Sequence, residues 1–265
     1  MLKDITLGQY FPGNSIVHKL DPRTKIIFVV LYIIALFSAD SWISYGLVAL
    51  VTVLCMAIST IKAKNIFKGL KPMLILIALT AFLNMFYTQG TPILPGWIIT
   101  WEGLSRAVKM ILRIIMLITG TFLLTYTTSP MALTDGLELL LNPLKKLKVP
   151  VHEMTMMMSM ALRFIPTLIE ETDKIMSAQK ARGADFESGG LIKRAKALIP
   201  ILVPLFVSAF RRADELAVAM ECRCYHGGEG RTRMKQLKLE ARDYITLILG
   251  CLFVAAVIMI KHLGV

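Results

Sequence analysis

The chain has 265 residues, of which 55% are hydrophobic and only 18% charged, and 30 lysines and arginines face 18 acidic residues for a net charge of +12. Soluble domains carry about 25% charged side chains, so this composition excludes an ordinary soluble domain and points to a membrane protein. The positive balance fits loops held against an anionic leaflet rather than nucleic-acid binding. Four cysteines, with Cys55 and Cys251 inside apolar runs, exclude a disulfide framework.

Five apolar runs can be set against the bilayer, which asks for about 20 helical residues per crossing. Ile26 to Ala39 is short, but Lys25 can snorkel at one end and Trp42 can sit at the far interface. Ile43 to Ile61 is the second expected span, and Pro72 to Tyr87 the third, opened by a proline where a missing N–H costs little. Val108 to Thr128 and Tyr244 to Ile260 complete the set. The first run is not expected to be a cleaved signal, because further spans follow and the basic stretch before it is long and includes Asp4 and Asp21.

Charge placement orients these spans. Lys3, Lys19, Arg23 and Lys25 precede the first, and Lys62, Lys64, Lys68 and Lys71 follow the second, with no lysine or arginine between Ile26 and Ile61. The positive-inside rule then sets the N-terminus and the 62–71 loop in the cytoplasm, and the C-terminus outside. Residues from about Ser129 to Asp243 become cytoplasmic.

That segment is amphipathic rather than hydrophilic. Met131 to Leu147 reads as one helix interrupted by Pro143. A second runs from about His152 to Ala181, with apolar residues at three-to-four spacing and a kink expected at Pro166. A third begins near Leu191, is broken by Pro200 and Pro204, and continues to Met220. The apolar part of 191–210 is about fourteen residues, shorter than a crossing. A sixth span would also carry the basic stretch after Arg211 outside, so none is expected. The expected organisation is therefore an all-α polytopic membrane protein: a membrane region at 1–128 with four spans, a cytoplasmic module of long amphipathic helices at 129–242, and a final span at 243–265.

Two arginines in this module occupy equivalent places. Arg182 and Arg223 are 41 residues apart, each after an amphipathic helix and before a glycine-bearing turn, Gly183 in one case and Gly227-Gly228 in the other. An arginine at a helix C-terminus is favourable by itself, so plain caps would give the same residues. An arginine on an exposed tip also offers a planar fork suited to a carboxylate. The same offset sets Glu170 and Glu171 against Arg211 and Arg212, as if the helices cross and pair there, although solvated faces carry such charges too.

The stretch His18-Lys19-Leu20-Asp21-Pro22-Arg23-Thr24-Lys25-Ile26, the basic-flanked spans, and two long helices ending in Ala181-Arg182-Gly183 and Cys222-Arg223-Cys224 resemble the T component of energy-coupling-factor transporters over essentially the whole chain. The resemblance implies a scaffold in a bacterial plasma membrane. It would couple two cytoplasmic ATP-binding-cassette ATPases to a separate membrane subunit that binds a vitamin or other micronutrient. It also implies that Arg182 and Arg223, with Ala181, Gly183, Cys222 and Cys224 beside them, dock into the ATPases, and that Asp21, Pro22, Arg23 and Lys25 form the family's N-terminal motif. Cysteines flank the second arginine where the family commonly has alanine and glycine; they are small enough to keep the fit. Cys222, Cys224 and His226 could also be read as soft metal ligands, but a structural zinc site wants four.

The chain has no phosphate-binding Gly-x-x-x-x-Gly-Lys-Ser/Thr loop, so power for transport must come from a partner. No catalytic residue or cofactor is expected. Met154, Met156, Met157, Met158 and Met160 form either core packing or an adaptable surface for exchangeable substrate-binding subunits. Arg113 lies within a span, in line with Arg106 and Lys109, and needs a partner there; Glu102 is set to pair with Arg106. A secondary transporter would show paired repeats and midplane ionisable residues, and a membrane enzyme a cluster of catalytic groups. Neither pattern is evident, and both stay as alternatives.

Overall fold

The computed structural model describes residues 10–88, 90–91, 100–186, 190–227 and 237–263; Lys3, Asp4 and Gly228, used in the sequence reading, lie outside them. The described residues form helices and turns without a strand. The chain divides into a larger unit, Gly8–Gly136 with Leu237–Val265, and a smaller one built on Leu137–Gln236.

The larger unit begins with a single turn, α1 (Ile16–Lys19), and then α2 (Pro22–Ser38). Asp21 caps α2 by accepting the Arg23 N–H, and Pro22 occupies the first helical position, where its missing donor is no loss. α3 (Trp42–Ser59) is capped by Ser41 and ends at Thr60 in the left-handed region, φ 58°. α4 (Ala63–Leu70) buries Ile66 and Leu70 on one face and runs through a 3₁₀ turn, Lys71–Met73, into α5 (Leu74–Tyr87). α6 (Trp101–Thr127) starts at a Thr100 cap, and α7 (Pro130–Leu141) follows. α10 (Ala241–His262) returns to this unit behind a capping box in which Glu240 and Asp243 each accept the other's backbone N–H.

Four of these stretches are long and apolar enough to cross a membrane: Trp42–Ser59, Ala63–Tyr87, Trp101–Thr127 and Ala241–His262. The first expected span falls in α2, whose 17 residues reach the lower end of the roughly 17 to 25 residue range. The third, fourth and last helices all start earlier than their apolar runs, because caps and turns, not the first charge, decide where a helix begins. Their outward faces are apolar: Ile75, Leu79 and Phe82 on α5 and Ile248, Leu252 and Met259 on α10 are exposed, as lipid-facing residues are.

The core of this unit packs Tyr32, Ala35 and Leu36 of α2 and Ala39 at its C-cap against Tyr45 and Val48 of α3, Met116 of α6 and Val257 of α10. The Tyr32 hydroxyl shares a hydrogen bond with Thr52 at 2.8 Å and donates to the Met116 carbonyl at 3.0 Å, so the buried polar group is satisfied. Gly120 permits this contact: a Cβ there would lie 2.5 Å from the Tyr32 ring.

In the smaller unit, α7 ends at Leu141 and Asn142–Leu147 continues as a 3₁₀ turn. The interruption expected at Pro143 is thus where the α-helix gives way to a 3₁₀ turn, since proline has no N–H to carry the α ladder on. α8 (Val151–Ala181) and α9 (Leu191–Glu221) follow, each of 31 residues. α8 runs unbroken through Pro166, and α9 through both Pro200 and Pro204, contrary to the expected break. Each proline removes one donor, but its fixed φ is helical and the flanking turns hold the rod together.

Candidate functional site

The ends of α8 and α9 have the same backbone geometry. At the first, the Gly183 N–H donates to Lys180 O and the Ala184 N–H to Gln179 O, both at 3.0 Å, and Gly183 has φ 86°. At the second, the Cys224 N–H donates to Glu221 O at 2.9 Å and the Tyr225 N–H to Met220 O at 3.1 Å, with Cys224 at φ 55°. These are two Schellman caps, 41 residues apart, with Arg182 and Arg223 each immediately before the left-handed residue. The turn residue matching Gly183 is therefore Cys224, not the Gly227-Gly228 pair expected from sequence. Ala181, Arg182 and Gly183 are exposed, as are Cys222, Arg223 and Cys224.

The two helices meet where the offset predicts. Arg212 donates to Glu171 at 3.0 Å, and its guanidinium lies 5.8 Å from the Phe164 ring centre. Glu171 and Arg212 are themselves equivalent positions under the 41-residue offset, so each helix touches its counterpart's matching point. From that crossing each arginine tip is 11 residues away, about 16 Å of helix. Beside the crossing, Met157, Met160 and Phe164 of α8 and Leu216 and Met220 of α9 line an open apolar groove of about 500 Å³. Met154, Met157 and Met158 are exposed, whereas Met156 and Met160 are half-buried.

The N-terminal motif has a different character, because its polar groups are spent on the larger unit itself. Arg23 donates through Nε and a terminal nitrogen to both oxygens of Asp21, at 3.0 and 2.9 Å, and to Leu237 O at 3.1 Å. The buried Asp243 accepts the Asp21 N–H and the Glu240 N–H, each at 2.9 Å, tying the starts of α2 and α10 together. Lys25 is buried and donates to the carbonyls of His18 and Thr127 and to the Thr128 hydroxyl. Pro22 packs so closely on Gly136 that a Cβ there would lie 2.9 Å away. Asp21, Pro22, Arg23 and Lys25 thus clasp α2, α6, α7 and α10. Sequence reading missed Asp243, although Glu240-x-x-Asp243 before an apolar run has the spacing of a capping box.

At the opposite end of α2, Lys261 pairs with Asp40 at 2.7 Å, and this hydrogen bond holds the Asp40 carboxyl below its ordinary range. With Asp21 near Asp243 at one end and Asp40 near Lys261 at the other, α2 and α10 run parallel. Lys109 donates to the Asp40 carbonyl and Arg113 to the Ala39 carbonyl, so both cap the negative end of the α2 dipole. Arg113 also lies 5.7 Å from the ring centres of Phe37 and Tyr45. The partner that Arg113 requires is a carbonyl and two rings. Glu102 accepts from the Thr91 N–H and hydroxyl instead of pairing with Arg106. Among the described residues no group of three or more His, Cys, Asp or Glu side chains comes together as a metal site.

Comparison with known proteins agrees with this architecture. The family described as cobalt transport protein, CbiQ, matches residues 13–234. The energy-coupling factor transporter transmembrane protein EcfT of Clostridium kluyveri is 56% identical over 260 residues, covering 95% of this chain and 96% of that protein. The protein of the same name from Ruminiclostridium cellulolyticum is 53% identical over 264 residues, 99% of each chain, and that of Bacillus subtilis 48% over 262, 98% of each. Matches of this length and identity cover every helix described above, and the chain belongs to the CbiQ/EcfT family, the transmembrane components of energy-coupling factor transporters.

Proposed function

We propose that this chain couples ATP hydrolysis by two cytoplasmic ATP-binding-cassette ATPases to a separate substrate-binding membrane subunit in micronutrient uptake, vitamins included. The observation that carries the reading is the pair of exposed arginines, Arg182 and Arg223, held at the same position of two caps with the same hydrogen-bond pattern on crossed rods. A guanidinium projected from a rigid tip is suited to a carboxylate in a partner's groove. Ala181, Gly183, Cys222 and Cys224 are small and let that groove close around each arginine. The ATPases change separation as they bind and hydrolyse nucleotide, the tips follow, and the crossed pair reorients as a rigid element against the substrate-binding subunit. That subunit rests on Met154, Met157 and Met158, with Met156 and Met160 behind them, and the adaptability of methionine lets several such subunits exchange. Catalysis then belongs to the partners and not to this chain.

The orientation follows from charge. Lys19, Arg23, Lys25, Lys62, Lys64 and Lys68 gather at the end of the larger unit where Lys25 reaches Thr127 and Tyr126 reaches Asn65. In a bacterial plasma membrane this is the cytoplasmic end, the module from about 129 to 242 lies on that side, and the final span ends outside. The parallel run of α2 and α10 supports an odd number of crossings, five with α2 included.

Co-purification from native membranes tests the docking. ATP-binding-cassette ATPases are expected with the unaltered chain and lost from Arg182→Glu with Arg223→Glu. Their unchanged recovery with that variant contradicts the reading.

A further inference from the structure

The larger unit holds a cavity that the coupling mechanism does not use. It has a volume of about 600 Å³ and is lined by α1, α2, α3, α6 and α10. α3 and α10 come together in the core, where Val48 and Val257 are fully buried. From there toward Ile58 and Thr246 the space between them is unfilled. Leu54 and Ile58 on one side and Leu249 and Leu252 on the other are exposed, so the cavity is a groove open to the bilayer. It runs from Leu47 to Ile58 along α3 and from Thr246 to Ala256 along α10. Each stretch is about 15 Å of helix, half of the roughly 30 Å hydrocarbon core.

The groove offers hydrocarbon and no free donor. Tyr32 donates to Met116 O, Thr52 to Val48 O, Thr127 to Leu123 O and Thr246 to Arg242 O. Lys25 directs its donors to His18 O, Thr127 O and the Thr128 hydroxyl. Cys55, the remaining hetero-atom side chain in the wall, behaves as a small hydrophobe. A polar solute would lose its water here and gain no donor in return, whereas an acyl chain loses nothing.

The mouth is positive. The hydrogen bond from the Asp21 N–H to Asp243 holds the starts of α2 and α10 together, so the exposed Lys19 and Arg242 stand at the same end of the groove. Among the described residues neither takes part in an ion pair. The nearby carboxylates are engaged: Asp21 with Arg23, Asp243 with two backbone N–H groups, and Glu240 with the Asp243 N–H. Lys25 adds a buried charge with no carboxylate bound to it. Arg242 lies in the first turn of α10, where a cation opposes the helix dipole, so its charge does not serve the helix. Basic residues gather at this end of membrane proteins in general; here they stand over a groove one leaflet deep.

We propose that this groove binds one anionic phospholipid, with an acyl chain between α3 and α10 and the phosphate at Lys19 and Arg242. Two cations beside an apolar groove favour an anionic headgroup over a zwitterionic one. In the orientation given above the lipid belongs to the cytoplasmic leaflet. The site is independent of the docking of ATPases.

The test uses the full chain with the subunits that co-purify with it, in phosphatidylcholine vesicles containing phosphatidylglycerol that carries a diazirine on its acyl chain. The same diazirine on phosphatidylcholine is the control. After illumination, label is mapped to the groove, residues 51–58 and 249–256, and to Ile75, Leu79 and Phe82 on the outward face of α5 as the reference for bulk lipid. The expected groove-to-α5 ratio is about tenfold higher with the phosphatidylglycerol probe. Lys19→Gln with Arg242→Gln brings that ratio down to the control value. Ala256→Phe, which fills the groove and keeps both cations, lowers the ratio for both probes. A melting curve checks each variant, and because the two act at opposite ends of the site, loss of fold in one leaves the other to decide. Equal ratios for the two headgroups overturn the inference, since the groove then holds bulk lipid only. A preference for phosphatidylglycerol that survives in the folded variants overturns it as well. So does capture of a polypeptide, in place of lipid, by a photoreactive residue at Val51 in native membranes.

Discussion

Arg23 and the pair Arg182/Arg223 are all motif arginines near helix ends, yet they do opposite things. Arg23 sits at the start of α2 and turns inward, with contacts to both oxygens of Asp21 and to Leu237 O. Arg182 and Arg223 sit at helix ends and face outward, their caps closed by backbone hydrogen bonds alone. The difference teaches that a motif is no guide to role by itself. Where the fold consumes an arginine's donors, the arginine maintains the fold; where the backbone completes the cap without it, the side chain stays exposed, as the proposed docking requires.

The inward cluster is where substitution costs most. Asp243→Ala strands two backbone donors, Asp21 N–H and Glu240 N–H, and should cost about 3 kcal/mol or more, read as a lower melting temperature of the purified protein. Gly120→Ala forces a methyl group against the Tyr32 ring inside the core and should cost roughly 1 to 3 kcal/mol by the same measure. At the crossing, Glu171→Arg and Arg212→Glu should each destabilise by on the order of 1 kcal/mol. The double reversal should recover the ion pair but not the Phe164 contact, so restoration is incomplete. At the outward caps the sign changes: Cys224→Gly should stabilise by about 0.5 to 1 kcal/mol, because it relieves a non-glycine residue at φ 55°. A loss of stability there would mean that the thiol contributes to the cap, which its exposure argues against.

Much of this was legible in the sequence. The apolar runs marked the membrane helices, and the 41-residue offset anticipated both the matching tips and the Glu171–Arg212 contact. What failed had a local cause. Cys224 carries no sign of a left-handed backbone, so the glycines after it attracted the turn. Pro200 and Pro204 read as breaks because the support of neighbouring turns is not visible in a proline. Glu102 was matched to Arg106 by helical spacing, whereas a loop residue, Thr91, competes for it from outside the helix. The clasp around Asp243 joins residues 222 apart, and that distance hid its role.

The most direct measurement records, on the same purified samples, the melting temperature and the amount of ATP-binding-cassette ATPase retained per folded chain. The three proteins to compare are the unaltered chain, Arg23→Ala, and Arg182→Glu with Arg223→Glu. The account predicts that Arg23→Ala melts lower while its remaining folded fraction keeps ATPase, and that the double variant melts as the unaltered chain does but retains none. A double variant that keeps its ATPase, or loses it only in step with its stability, would contradict the assignment of the outward arginines to docking.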